Sequence, residues 1–282
     1  MKRLFTSVVA AIISGSTMLA AQAKPNYAER EKNAPSSIKH LLKRIRTDIK
    51  RHKLKFTVGY TSALDEPGDP CTIPPSDMFT KARSQNEQSE QVLKRIQRPR
   101  FDVCSVSTST FDWTQNNGVT PIRSSQQCND CWAFATTAAW EGNYMLRGGT
   151  GSVYASEQDL IDCIQGQSCA HADWIHFDQL ATGIASETQV LYNPQPANPV
   201  NRACSNLNTY RALTSAYVSS QNPVPDPSSI KQALCDHGPL ATAIFSTVAF
   251  QAYNGGLYSD PNPETSVNHA IVLVGWDDTQ QA

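Results

Sequence analysis

The chain has 282 residues, 40% of them apolar and 17% charged, with a net charge of −1. This is enough apolar content for an ordinary core in one or two domains. The small net charge conceals an asymmetry: residues 24–105 carry 17 Lys/Arg and 10 Asp/Glu, whereas residues 106–282 carry 5 and 15. A basic part ahead of an acidic one fits a removable segment docked on an oppositely charged domain better than a nucleic-acid-binding arm.

Met1 to Ala23 has Lys2 and Arg3, an apolar stretch from Leu4 to Ala20, and the closing run Ala21-Gln22-Ala23. It reads as a secretory signal, too short and too interrupted by Ser14, Gly15, Ser16 and Thr17 for a membrane span. No other segment is apolar enough to cross a bilayer, so the expected location is secreted or periplasmic, with no membrane contact after signal cleavage. The eight cysteines of an exported chain are expected to form disulfides.

Next, Ser36 to Phe56 places Ile38, Leu41, Leu42, Ile45 and Ile49 at helical spacing among Lys and Arg, which predicts an amphipathic helix. Thr61 to Pro75 is Pro- and Gly-rich and reads as loop, and Asn86 to Gln97 as a short helix cut by Pro99. Processing is expected between Arg98 and Thr110.

Beyond it, Cys131 stands where a polar loop enters a helix rich in alanine, which Gly148 and Gly149 end. A thiol at a helix N-terminus meets N–H groups and the positive end of the helix dipole, both of which favour thiolate, so Cys131 is a candidate nucleophile. Ser156 with Asp159 predicts an N-cap opening a short helix through Cys163. Asp173 to Ile184 reads as helix, and Asn193 to Asn201 as loop. A helix from Ser228 ends at Gly238, ahead of a strand from Leu240 to Phe245. Tyr253 to Tyr258 reads as a turn leading into a strand, and His269 to Trp276 as a buried strand. Helices first and strands second is an α+β order.

Of the six histidines, only His269 opens a long apolar strand that could fix an imidazole, and it is the candidate acid/base. His40 and His52 sit on the basic helix and are expected to be solvated; His171, His176 and His237 read as surface or packing residues. The spacing Cys128-Asn129-Asp130-Cys131 also suits a zinc knuckle or a redox pair, but no second such pair follows. No metal or cofactor is expected.

Asp112-Trp113, Gly118-Val119-Thr120-Pro121, Cys128 to Phe134 and Asn268 to Gly275 together resemble the papain-like cysteine peptidases. His269 lies 138 residues after Cys131, inside the window of about 130 to 150 expected for that family. The resemblance implies a two-lobed α+β fold, a helical lobe facing an antiparallel β-barrel. It gives residues 1–23 as signal peptide, 24–105 as an inhibitory pro-segment and 106–282 as peptidase domain. It implies hydrolysis of peptide bonds in protein or peptide substrates, with Cys131 as nucleophile, His269 as acid/base and the Cys131 N–H in the oxyanion hole. It also implies the disulfides Cys128–Cys169 and Cys163–Cys204. That leaves Cys71, Cys104 and Cys235 unassigned, an odd set in which a second thiol is expected.

Three departures qualify the resemblance. The oxyanion-binding Gln of the family falls at Ser125, with Gln126 and Gln127 one and two residues late, so Ser125 or Gln126 would serve. Asn129-Asp130 and Ala170-His171-Ala172 replace glycine-rich positions that would line the substrate cleft. The sequence stops at Ala282, ahead of the Asn that orients the histidine and of the last barrel strands, which reads as a truncated chain with an incomplete barrel. A catalytically impaired domain that binds peptides in its cleft is the alternative, and a related thiol transferase or isopeptidase a third reading.

Overall fold

The computed structural model describes residues 26–65, 78–96, 101–125, 128–149, 153–164, 177–193, 210–222, 224–262 and 266–280. The secretory signal, Cys71, Gln126, Gln127, Cys169, His171, His176 and Cys204 lie outside them.

The upstream part holds three helices and a strand: α1 (Tyr27–Lys32), α2 (Ser36–His52), β1 (Lys55–Val58) and α3 (Met78–Leu93). The amphipathic helix is present but ends at His52, because Lys53 turns left-handed (φ 55°) and its N–H bonds back to the last turn. The expected continuation to Phe56 is instead a strand. The second helix begins earlier than expected, at Met78.

β1 pairs antiparallel with β4 (Tyr253–Leu257), Phe56 facing Gly256. Tyr253 to Leu257 is thus a strand rather than the turn expected from Asn254-Gly255-Gly256. The glycines are there for contact. At Gly256 φ is +93°, and a Cβ would stand 2.3 Å from the Lys55 carbonyl oxygen. Leu42, Ile45, Phe56, Val58 and Ala252 form an apolar cluster across this junction. Burial of Leu42 and Phe56 contributes about 1.5–3 kcal/mol each.

Upstream and downstream parts are also joined by Gly59 N–H donating to the Ala252 carbonyl (2.9 Å) and by Asn86, whose side chain bonds both backbone groups of Tyr217. Among the described residues no ion pair joins them. Upstream cations pair within their own segment, Arg46 forking onto Glu31 at 2.6 and 2.7 Å. Among the described residues the two parts are thus joined by strand pairing, apolar contact and these hydrogen bonds.

Downstream, α4 (Cys131–Leu146) is buried on almost every face, from Trp132 to Gly142. It packs on α5 (Glu157–Cys163), α6 (Phe177–Thr182) and the strand pair β3 (Leu240–Ile244) with β5 (His269–Leu273). Gly142 permits this centrality, since a Cβ there would lie 2.4 Å from the Gly118 carbonyl oxygen. α7 (Pro227–His237) opens on Asp226, which caps Ser229 N–H at 2.9 Å, and α8 (Val248–Gln251) is a single turn.

The strand expected from His269 to Trp276 breaks at Val274. β6 (Gly275–Asp277) then pairs with β2 (Thr110–Asp112), and only Ala270 of the stretch is buried. Among the described residues the strands form three two-stranded antiparallel pairs, not a closed barrel. Trp113 is fully buried under Phe101 and Phe111 and donates to the Leu234 carbonyl at 3.1 Å. Cys104 is bonded to Cys235. Neither is a thiol, and the bridge ties a residue assigned to the pro-segment to α7 of the downstream part. Cys128 and Cys163 are disulfide-bonded as expected, their expected partners lying outside the described residues. Among the described residues Cys131 is the cysteine outside a disulfide.

Candidate active site

The candidate nucleophile is held from both sides. Cys131 is the first residue of α4, and the N–H groups of Ala133 and Phe134 close the first turn on the Asp130 carbonyl at 2.8 and 3.3 Å. Across from it, the Ala270 N–H donates to Cys131 Sγ at 3.4 Å. A donor aimed at sulfur favours the thiolate, as does the helix N-terminus.

His269 directly precedes Ala270 and opens β5, opposite Ile244. Cys131 and the strand that His269 opens thus meet where a helix N-terminus abuts a strand end. Sequence reasoning gave no role to Asn268, which fixes that strand end. Its backbone N–H donates to the Ile244 carbonyl (2.9 Å), its Oδ1 accepts from Ser246 N–H (2.6 Å) and its Nδ2 donates to the Ser246 carbonyl (3.2 Å). An Asn just ahead of a candidate catalytic residue is a signal that could have been read.

Ser125 is half-buried, and its carbonyl accepts from Cys128 N–H (3.1 Å) and from the Tyr192 hydroxyl (2.7 Å). These bonds hold the loop that leads into α4. Gln126, the other oxyanion candidate, lies outside the described residues. Asp130 does not line a cleft as expected. It is fully buried, and among the described residues neither carboxyl oxygen meets a hydrogen-bond donor at bonding geometry. Burial pushes its carboxyl up to about 8, and the Tyr192 hydroxyl opposes the shift.

Behind the nucleophile runs an ionic cluster that sequence reasoning missed, because its members are spread over 34 residues. Arg123 Nη2 lies 2.7 Å from both Glu141 and Glu157. Glu141 also accepts from Ala155 N–H (2.8 Å) and the Thr120 hydroxyl (2.5 Å), and Glu157 from the Thr137 hydroxyl (2.8 Å). Two buried carboxylates share one guanidinium. Burial raises both, Glu157 to about 7, against the pull of Arg123. The cluster clamps α4 to α5 and to the loop before the nucleophile. At α5 the Ser156 hydroxyl caps Asp159 N–H at 3.0 Å as expected.

A buried helix presenting a thiol to the opening of an antiparallel strand that begins with His is an α+β arrangement with a candidate thiol nucleophile. Residues 107–282 match the model of the papain family cysteine proteases, and the chain belongs to that family. It is 32% identical over 208 residues to digestive cysteine proteinase 1 of Homarus americanus, covering 68% of this chain and 62% of that one. It is 31% identical over 182 residues to fruit bromelain of Ananas comosus, covering 62% and 49%. The chain thus spans less than two thirds of the length of these relatives. Digestive procathepsin L 3 of Tenebrio molitor shares its fold at a TM-score of 0.61 and 21% identity, over 92% of this chain and 80% of that one. No helix among the described residues is long and apolar enough to cross a membrane.

Proposed function

We propose that the protein is an exported cysteine peptidase that hydrolyses peptide bonds in protein substrates, with Cys131 as nucleophile and His269 as acid/base. Cys131 Sγ bonds to the scissile carbonyl carbon. The oxyanion forms near the Cys131 N–H, and His269 gives its proton to the leaving amine. Water drawn by the neutral imidazole then attacks the thioester and frees the thiol. The observation that carries this reading is the 3.4 Å approach of Ala270 N–H to Cys131 Sγ, which seats the thiol beside the residue that follows His269.

Residues 1–23 serve as the export signal and residues 24–105 as a pro-segment. Pairing of β1 with β4 and the cluster around Phe56 support that docking, as does the likeness to a proenzyme. The test is hydrolysis of a denatured protein substrate by the processed chain, its Cys131→Ser variant and its His269→Ala variant. Both variants should lose activity by at least about a thousandfold. Hydrolysis retained by Cys131→Ser overturns the assignment.

A further inference from the structure

Asp130 is the one buried acid beside the nucleophile for which the proposed reaction has no use. It occupies the N-cap position of α4, where an Asp ordinarily accepts from the N–H groups of the first turn, yet its side chain makes no capping bond. It is fully buried, and among the described residues no donor stands at bonding geometry to either oxygen. An ionised carboxylate so placed would be several kcal/mol out of its element, and such a group keeps its proton instead.

Its charged and polar neighbours do not reverse this. Cys131, the next residue, and Glu157 on α5 both work against ionisation, and the Tyr192 hydroxyl, turned to Ser125, pulls the other way more weakly than burial pushes. The Arg123 guanidinium is engaged by Glu141 and Glu157. His269, on β5, directly precedes Ala270, whose N–H donates to the thiol sulfur.

We infer that Asp130 is a positioning residue for the nucleophile that works in its protonated form: neutral Asp130 leaves the Cys131 thiolate as the sole negative charge at the α4 N-terminus, and its ionisation switches the site off at alkaline pH. This rests on the proposed role of Cys131. The physical cause is that one helix N-terminus favours one negative charge and a second adjacent charge is penalised. The oxyanion of the reaction would form at the same N–H groups, so an Asp130 carboxylate would repel it as well. On ionisation the Asp130 O–H bond breaks, the proton goes to solvent and the electron pair stays on the carboxylate; no other bond changes.

The test is the pH profile of kcat/KM for the processed chain and for Asp130→Asn, which mimics the neutral carboxyl without its titration. If the peptide substrate is not turned over, iodoacetamide alkylation of Cys131 supplies the profile, so failure of the peptidase reading stays distinguishable. The acid limbs should coincide within about twofold, and the variant's alkaline limb should lie at higher pH than the parent's. Two profiles that coincide throughout, or a variant whose acid limb moves to lower pH, would overturn the inference, the second because it means Asp130 was ionised all along. Should Asp130→Asn not fold, carbon NMR of aspartate-labelled parent chain decides. An Asp130 carboxyl still protonated at pH 6 supports the inference, and one titrating near the ordinary value of about 4 refutes it.

Discussion

Replacing Arg123 by Gln would leave Glu141 and Glu157, 0% and 1% exposed, without their shared counter-ion. Removing one partner of a buried pair costs about 3–5 kcal/mol, because it strands the charge rather than merely losing an attraction. Here the stranded groups have an escape, since each can take up a proton. Glu157 is already raised from 4.5 to about 7 with Arg123 present, and higher without it.

The sign follows from proton counting. Between about 4.5 and about 7 the folded parent holds a proton on Glu157 that the unfolded chain has released, so stability falls as pH rises through that window. Loss of Arg123 widens it upward. The variant should therefore lose about 1–2 kcal/mol at pH 4.5, mainly packing and hydrogen bonds, and about 3–5 kcal/mol at pH 7.5. Urea unfolding followed by tryptophan fluorescence at the two pH values measures both. An equal loss at the two, or a larger one at pH 4.5, would refute the argument that two buried carboxylates depend on one guanidinium.

Three further outcomes concern the upstream segment. Gly256→Ala would press a Cβ to within 2.3 Å of the Lys55 carbonyl oxygen, so it should undock β1 and speed alkylation of Cys131 in the intact chain by at least about tenfold. Unchanged alkylation would mean that β1 pairing does not guard the site. Because no ion pair joins the two parts among the described residues, raising salt from 0.05 to 1 M, where screening lengths fall to roughly 3 Å, should alter precursor processing by less than about twofold. A large acceleration would restore the charge-docking view. Finally, the exposed stretch Ser105–Ser109 follows the Cys104–Cys235 bridge. Cleavage there should leave the upstream fragment attached on a non-reducing gel and release it on reduction. A fragment already free without reductant would place the cut before Cys104.

The sequence by itself determined the elements whose causes are local. The alanine-rich α4 with Cys131 at its head, the Ser156 cap of α5, the stop at Gly238 and the amphipathic face of α2 each follow from a few neighbouring residues, and each is where it was expected. The expectation that Cys131 meets the His269 strand also came from spacing and motif, and the Ala270 N–H lies 3.4 Å from Cys131 Sγ.

Tertiary structure decided the rest. Gly255-Gly256 reads locally as a turn, but it is strand because β1 approaches its backbone from almost 200 positions away. Asp130 reads as a polar cleft residue, but the packing of α4 against α5 and the Tyr192 loop buries it. The Arg123 cluster has no sequence signature, since Arg123, Glu141 and Glu157 become one site only when α4 and α5 pack. Cys104 and Cys235 could be matched only by closing a loop of 131 residues. Local propensity acts over one or two turns of chain, whereas burial and long-range pairing depend on which faces meet, and that is fixed only when the whole core closes.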